Sequence, residues 1–283
     1  MMGSITILDP GVLTVLQDAG RRGWAHLGVS PSGAADRGSF ASANRAVGNE
    51  ADGAVLEVLL GTVTFRLDVD RWCAIAGAPA GVTVDGHAVP DPGLFRVRAG
   101  QVVALTGTPF GLRSYVAIGG GVLGDEVLGS VSHDSLSGLG TPPAVTGTSW
   151  ALGEPREPDV PVVGLDRWSD DVVRIEAIWG PRDDLLDEAA RAALASTVWL
   201  VTGDSDRVGL RLDGPALDLR VGSLPSEGTV SGAVQIPPAG RPIIFLADHP
   251  ATAGYPIVAV VGRGDLDRLA QCRPGDRVQF APR

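Results

Sequence analysis

The sequence predicts a mainly β protein, of barrel or sandwich type, with few short helices. Three observations carry this. Apolar runs of roughly four to eight residues recur along the chain, bounded by Gly, Pro or Asp. Glycine contributes 39 of 283 residues and proline 21, so turn-forming positions are frequent. Stretches with a helical repeat are few and short. Many short strands between glycine turns suit barrels or sandwiches better than an alternating α/β sheet.

The elements follow in order. Val82-Thr83-Val84-Asp85 alternates apolar and polar residues and runs into Asp85-Gly86, a hairpin signal. Phe95-Arg96-Val97-Arg98 alternates in the same way. Further strands are predicted over 101–105, 115–118, 172–179, 198–202, 243–247 and 257–261. A helix is predicted over 37–47, capped by Asp36 and ended by Gly48. A second, over 183–194, opens on acidic residues, which suit a helix N-terminus. A third runs to Gln271 from a cap at Asp265 and stops before Pro274-Gly275. Pro155, Pro158 and Pro161 mark a connection. The expected organisation is an N-terminal β-rich lobe over 1–150, a linker over 151–171 and a C-terminal β-rich lobe over 172–283.

Composition excludes several functions. All 23 basic residues are arginine. Without lysine there is no phosphate-binding P-loop, no Schiff base to pyridoxal phosphate and no lysine to carry biotin. The net charge of −10 and the lack of a basic cluster argue against binding nucleic acid or an anionic membrane. No apolar run approaches the roughly 18 residues of a membrane span. The start, Met1-Met2-Gly3-Ser4-Ile5-Thr6, lacks the pattern of a signal peptide. Cys73 and Cys272 read as buried or neutral thiols of a reducing compartment. A cytoplasmic location is expected. The four histidines, His26, His87, His133 and His249, are scattered without ligand spacing, so no metal site is predicted.

Four polar clusters carry the candidate chemistry. The first is Gln17-Asp18-Ala19-Gly20-Arg21, where an arginine fork suits a carboxylate or phosphate and an Asp18–Arg21 pair holding a turn is the structural alternative. The second is Gly28-Val29-Ser30-Pro31-Ser32-Gly33-Ala34-Ala35-Asp36, whose free N–H groups at a helix start would favour an anion. Asn44 and Asn49 flank that helix. The third is the glycine–serine stretch from Gly129-Ser130 to Ser137-Gly138; its His133-Asp134 pair lacks a nucleophile elbow. The fourth spans Arg207 to Arg211, Ser226-Glu227-Gly228, Gln235 and Asp248-His249-Pro250 through Tyr255, in turns between apolar strands.

Together these segments resemble a known family, which includes allophanate hydrolase subunit 2, the carboxyltransferase part of urea carboxylase, the C-type subunit of 5-oxoprolinase and the KipI antagonist KipA. The resemblance rests on Leu13-Thr14-Val15-Leu16-Gln17-Asp18-Ala19-Gly20-Arg21, Gly28 through Asp36, and Ala43-Asn44-Arg45-Ala46-Val47-Gly48-Asn49 with Glu57. It continues through Arg113-Ser114-Tyr115, Gly119-Gly120-Gly121, Gly129-Ser130, Asp206 to Leu212, Ser226-Glu227-Gly228, Gly232 to Pro237 and Gly254-Tyr255-Pro256. Two segments depart from the family's usual pattern: Val131-Ser132-His133 where Arg-Ser-Thr is usual, and Ala251-Thr252-Ala253 where the usual run is Thr-Thr-Gly. Loss of the arginine removes a potential anion contact.

The resemblance implies two β-rich lobes with a cyclophilin-like barrel. It implies one component of an ATP-dependent 5-oxoprolinase that opens 5-oxo-L-proline to L-glutamate. Alternatives are carboxyl transfer from biotin to a urea-like amide, and a non-enzymatic antagonist of a KipI-like kinase inhibitor. It implies a subunit-1/B-like partner, a LamB/YcsF-type A component, and ATP as co-substrate, with biotin only for carboxyl transfer. On the same ground Gln17, Asp18, Arg21, Ser32 and Asp36 are expected to be catalytic. Asn44, Glu57, Arg113, Tyr115, Ser130, Arg207, Arg211, Glu227, Gln235 and Tyr255 are expected to bind substrate.

Overall fold

The computed structural model describes residues 3–158, 171–219 and 224–283. The chain groups into two units. Met1–Arg21, Ser32–Asp134 and Gly138–Arg167 form the first; Arg22–Pro31, Ser135–Ser137 and Trp168–Arg283 form the second. Both are β-rich, as the strand pattern predicted.

The first unit stacks two antiparallel sheets. The larger runs Val122–Leu123, Ser149–Leu152, Ser4–Asp9, Thr62–Leu67, Val102–Thr106, Val82–Val84, His87–Ala88 in spatial order. The smaller runs Thr14–Gln17, Val55–Leu59, Arg113–Ile118, Arg71–Gly77, Phe95–Val97. Ile5, Ile7, Phe65 and Val103 from one meet Leu16, Leu56, Val116 and Ile118 from the other in a common core. The alternate residues of the smaller sheet point the other way. Tyr115 and Ala117 pack with Phe40, Ala43 and Ala46 of the helix Arg37–Ala46, α1, and with Val47 just beyond it. Covered on both faces, Arg113–Ile118 is buried at every position. Asp36 caps α1 as predicted, its carboxylate accepting from Ser39 N at 2.9 Å.

The Asp85-Gly86 hairpin forms between Val82–Val84 and His87–Ala88, with φ of 49° and 79° at the two turn residues. Two more turns have the same φ signs at Leu60-Gly61 and Leu128-Gly129. Leucine is strained there, so no residue type announces them.

The second unit holds a closed barrel in the order Val172–Trp179, Ile257–Val261, Ala233–Gln235, Ile243–Phe245, Gly209–Asp213, Trp199–Val201, Arg277–Pro282. The closing seam, Val172–Trp179 on Arg277–Pro282, is parallel; the other ladders are antiparallel. Ile175, Trp199, Leu212, Val234, Ile244, Val258 and Phe280 fill the interior. Trp199 is wholly buried, and its indole N–H donates to Leu194 O at 3.1 Å.

Two helices differ from expectation. The stretch 183–194 is not continuous: a 3-10 turn over Asp183–Leu185 is followed by α2, Glu188–Ser196. Leu186 is extended and bridges to Leu219, and Asp187 caps α2 by accepting from Ala190 N at 2.8 Å. The last helix, α3, covers Arg263–Ala270 with Gly262 at its N-cap. Asp265 lies inside its first turn, where its carboxylate accepts from Glu176 N at 2.7 Å and from Arg268 at 2.9 Å. Of the linker expected over 151–171, Ala151 and Leu152 belong to a strand, and residues 159–170 lie outside the described residues.

Both cysteines are buried and neither forms a disulfide among the described residues, and burial pushes the Cys73 thiol up to about 12. Among the described residues no helix is long and apolar enough to cross a membrane.

Candidate functional site

In the first unit the sequence clusters converge. Thr14–Gln17 is an edge strand, and the glycine–serine segment runs alongside it: His133 N donates to Leu16 O and Ala144 N to Thr14 O. Asp18 just beyond that strand is the hub. Its carboxylate accepts from Gly20 N at 2.7 Å, Ser130 Oγ at 2.6 Å, Ser132 Oγ at 2.6 Å and Val131 N at 2.8 Å. Ser132 Oγ accepts in return from Asp18 N at 2.9 Å. Arg21, 1% exposed, donates from Nε to Val127 O at 3.3 Å and from Nη2 to Ser132 O. The two ends of the hairpin built on Leu128-Gly129 are thus pinned to 17–21. A side chain at Gly140 (φ 86°) would strike Ser132 O, 1.9 Å away, and Arg21 Nη2, so only glycine fits.

The departure at Val131 has a structural reading. Its backbone N–H serves Asp18, and its side chain packs against the core between the sheets. Gln17 is fully buried, and its Nε2 donates to His133 O at 2.8 Å. That carbonyl fixes the amide, because a flipped Gln17 would set two oxygens against each other. Gln17 Oε1 meets no hydrogen-bond donor among the described residues.

Ser32 (φ 51°) and Gly33 (φ 89°) turn the chain from this loop toward α1. Ser32 Oγ also donates to His133 O, at 3.2 Å. The expectation of free N–H groups at the helix start is corrected here. Ala34 N donates to Asp18 O at 3.0 Å, Ala35 N to the Glu57 carboxylate at 3.0 Å, and Asp36 N to Tyr115 Oη at 2.8 Å. The anion that this site attracts is the chain's own Glu57.

Glu57 is 3% exposed and gathers two other expected residues. Tyr115 Oη donates to its Oε2 at 2.9 Å, and Arg113 Nε lies 3.4 Å from its Oε1. Burial first, then the Glu57 and Asp36 charges, holds the Tyr115 phenol well above its ordinary 10.0. With its folded value raised, Tyr115 stabilises the fold fully below pH 10, and this contribution is lost as pH rises toward the folded value. The chain has two tyrosines. In a Tyr255→Phe variant Tyr115 is the sole one, and we expect no phenolate absorbance at alkaline pH until the fold is lost. A phenolate step near pH 10 with the fold intact contradicts this.

Asn44 stands apart from that network. It is buried, its Nδ2 donates to Gly53 O at 2.6 Å, and its Oδ1 accepts from Asn49 at 2.9 Å, in the turn that follows α1.

In the second unit, Arg207 and Asp248 form a bidentate pair, Nε–Oδ2 2.9 Å and Nη2–Oδ1 3.0 Å, with side chains 5% and 0% exposed. Ser135 donates to the same Asp248 oxygen through its N–H (2.9 Å) and its hydroxyl (2.7 Å). Next to Asp248, His249 stacks on Phe245. On the outer wall of the barrel, Gln235 Nε2 donates to Tyr255 O at 3.3 Å. Glu227, paired with Ala253 in a short ladder, binds Arg182 through a bidentate ion pair. The Arg182 guanidinium holds the Glu227 carboxyl below the usual range. Tyr255 is 49% exposed. Arg211 is not drawn to Arg207: on Gly209–Asp213, Leu210 and Leu212 point into the barrel and Arg211 points out.

Three residues outside the sequence prediction are central here: Ser132, Asp248 and His249. Each lay in a polar stretch already noted, but their partners are more than 20 residues away or, for His249, include the distant Thr229.

The sequence profile described as "Carboxyltransferase domain, subdomain A and B" matches residues 27–282. The chain is 33% identical over 282 residues to the C-type 5-oxoprolinase subunit of Escherichia coli K12, a match spanning 98% of this chain and 90% of that one. The crystal structure of TTHA0988 superposes with a TM-score of 0.86 at 32% identity, covering 98% of this chain and 55% of that one. The urea amidolyase of K. lactis superposes with a TM-score of 0.90 at 26% identity, covering 99% of this chain and 18% of that one. Thus the chain spans nearly all of the E. coli relative but only about half, or under a fifth, of these solved chains. By profile, sequence and fold together, the chain belongs to the carboxyltransferase domain, subdomain A and B, family.

Proposed function

We propose that this chain is the C-type subunit of a cytoplasmic, ATP-dependent 5-oxoprolinase, opening 5-oxo-L-proline to L-glutamate together with a B-like partner and a LamB/YcsF-type A component. The observation that carries this reading is the match to the E. coli C-type 5-oxoprolinase subunit, which spans 98% of this chain and 90% of that one. A lactam presents a C=O and an N–H on one edge. Gln17 Oε1, a buried acceptor without a donor among the described residues, is complementary to that N–H.

ATP does not fit the residues proposed here. There is no lysine, and the buried arginines among the candidate residues face internal acceptors: Arg21 the carbonyls of Val127 and Ser132, Arg113 the Glu57 carboxylate, Arg207 the Asp248 carboxylate. The nucleotide is therefore assigned to a partner protein. A second reading, carboxyl transfer from biotin to a urea-like amide, is favoured by the family profile and by the likeness to urea amidolyase. The ureido ring of biotin carries the same N–H edge, so Gln17 fits it too, and the carrier lysine would belong to another chain.

The test is reconstitution. This chain, alone and with its A-type and B-type partners, is assayed for ATP-dependent release of glutamate from 5-oxo-L-proline. We expect release only from the full set. Release by the lone chain, or biotin-dependent carboxylation of urea without lactam opening by the set, overturns the reading.

A further inference from the structure

The lactam acceptor proposed above depends on groups that never reach the substrate. Gln17 Oε1 points where it does because Gln17 Nε2 is held by the His133 carbonyl. His133 lies one residue beyond Ser132, which is tied to the first loop through its hydroxyl, its carbonyl and, by way of Ser130, its N–H. Its hydroxyl donates to Asp18 Oδ1 and accepts from Asp18 N; its carbonyl accepts from Arg21; its N–H donates to Ser130 Oγ, which itself donates to Asp18. Among the described residues the Asp18 carboxylate receives four donors, as many as it has lone-pair sites, three of them on Oδ1. A carboxylate so engaged orders a backbone; it is poorly placed to take a proton from a substrate.

We propose that Asp18 and Ser132 are positioning residues: they clamp the 127–133 hairpin to 17–21 and thereby fix the His133 carbonyl, which directs Gln17 Oε1 at the substrate N–H. The clamp is read from the fold alone; its consequence for substrate rests on the lactam reading above.

Two measurements test it. The first is hydrogen exchange on the isolated full chain. Ser132→Ala is expected to keep the thermal transition and to speed exchange at the Val131 and Gly20 amides by tenfold or more. Unchanged exchange there overturns the clamp, whatever the protein's activity proves to be. The second is a double-mutant cycle in the reconstituted complex. Gln17→Met and Ser132→Ala are each expected to raise KM for 5-oxo-L-proline about tenfold, the order expected for one lost hydrogen bond. Together they should cost no more than Gln17→Met alone, because both act through one contact. Additive effects overturn the proposal. Asp18→Asn should leave the pH profile of kcat in place. Loss of its acid limb would make Asp18 a proton-transfer group and also overturn it. Should Asp18→Asn not fold, the Ser132 and Gln17 variants decide the matter. A wild-type complex that opens no lactam sinks the functional reading, while the exchange measurement still decides the clamp.

Discussion

Glu57→Ala should cost the first unit about 3–5 kcal/mol, read as a fall in the urea midpoint. The substitution leaves the Arg113 guanidinium, 5% exposed, without the carboxylate it faces. It also removes the acceptor of the buried Tyr115 Oη and of the half-buried Ala35 N–H. A buried charge that loses its partner is far more destabilising than the pair was stabilising. Such a loss is a large part of the roughly 5–15 kcal/mol that holds an ordinary domain folded. Glu57→Gln keeps an acceptor of the same shape and should cost less. A shift below about 1 kcal/mol for the alanine variant would mean that water or neighbouring groups replace the carboxylate.

The second large effect belongs to the barrel unit. Asp248→Ala removes the carboxylate that Arg207 binds with a side chain 5% exposed, and frees Ser135 from its acceptor. A loss of about 3–5 kcal/mol is expected in calorimetry or urea unfolding. The double variant Arg207→Met with Asp248→Leu should recover much of it, because an apolar pair of similar volume has no desolvation cost. If the double variant is as unstable as the single one, the pair contributes geometry that packing cannot replace.

These two pairs show how much was legible in the sequence. Arg207 stands out by residue type and by the family resemblance, and Glu57, Arg113 and Tyr115 by the resemblance alone. Their roles do not, because each role is set by a partner far along the chain: Glu57 by Tyr115 and Ala35, Arg207 by Asp248. Local rules succeeded where the partner was local. Asp36 caps α1 through Ser39, three residues away, and Asp85-Gly86 makes its hairpin. They failed where a distant group competed. Asp265 would cap its own helix by local rules, but its carboxylate is taken by Glu176 N and Arg268. The side of the barrel that Arg211 occupies was legible too. The alternation Leu210-Arg211-Leu212 by itself places it outside the barrel.

The parallel seam that closes the barrel has a consequence for how the protein is made. Val172–Trp179 emerges from the ribosome first among the barrel strands, and its partner Arg277–Pro282 emerges last. Every other ladder of the barrel except the one that Trp199–Val201 makes with that last strand can form while synthesis continues. Until then the nascent unit is an open sheet whose first strand offers unpaired backbone groups to any passing β segment. Closure then joins ends far apart in sequence, a slow step for a high-contact-order topology. Slowing translation of this region, or removing residues 277–282, should therefore show as aggregation during synthesis before it shows as lost activity.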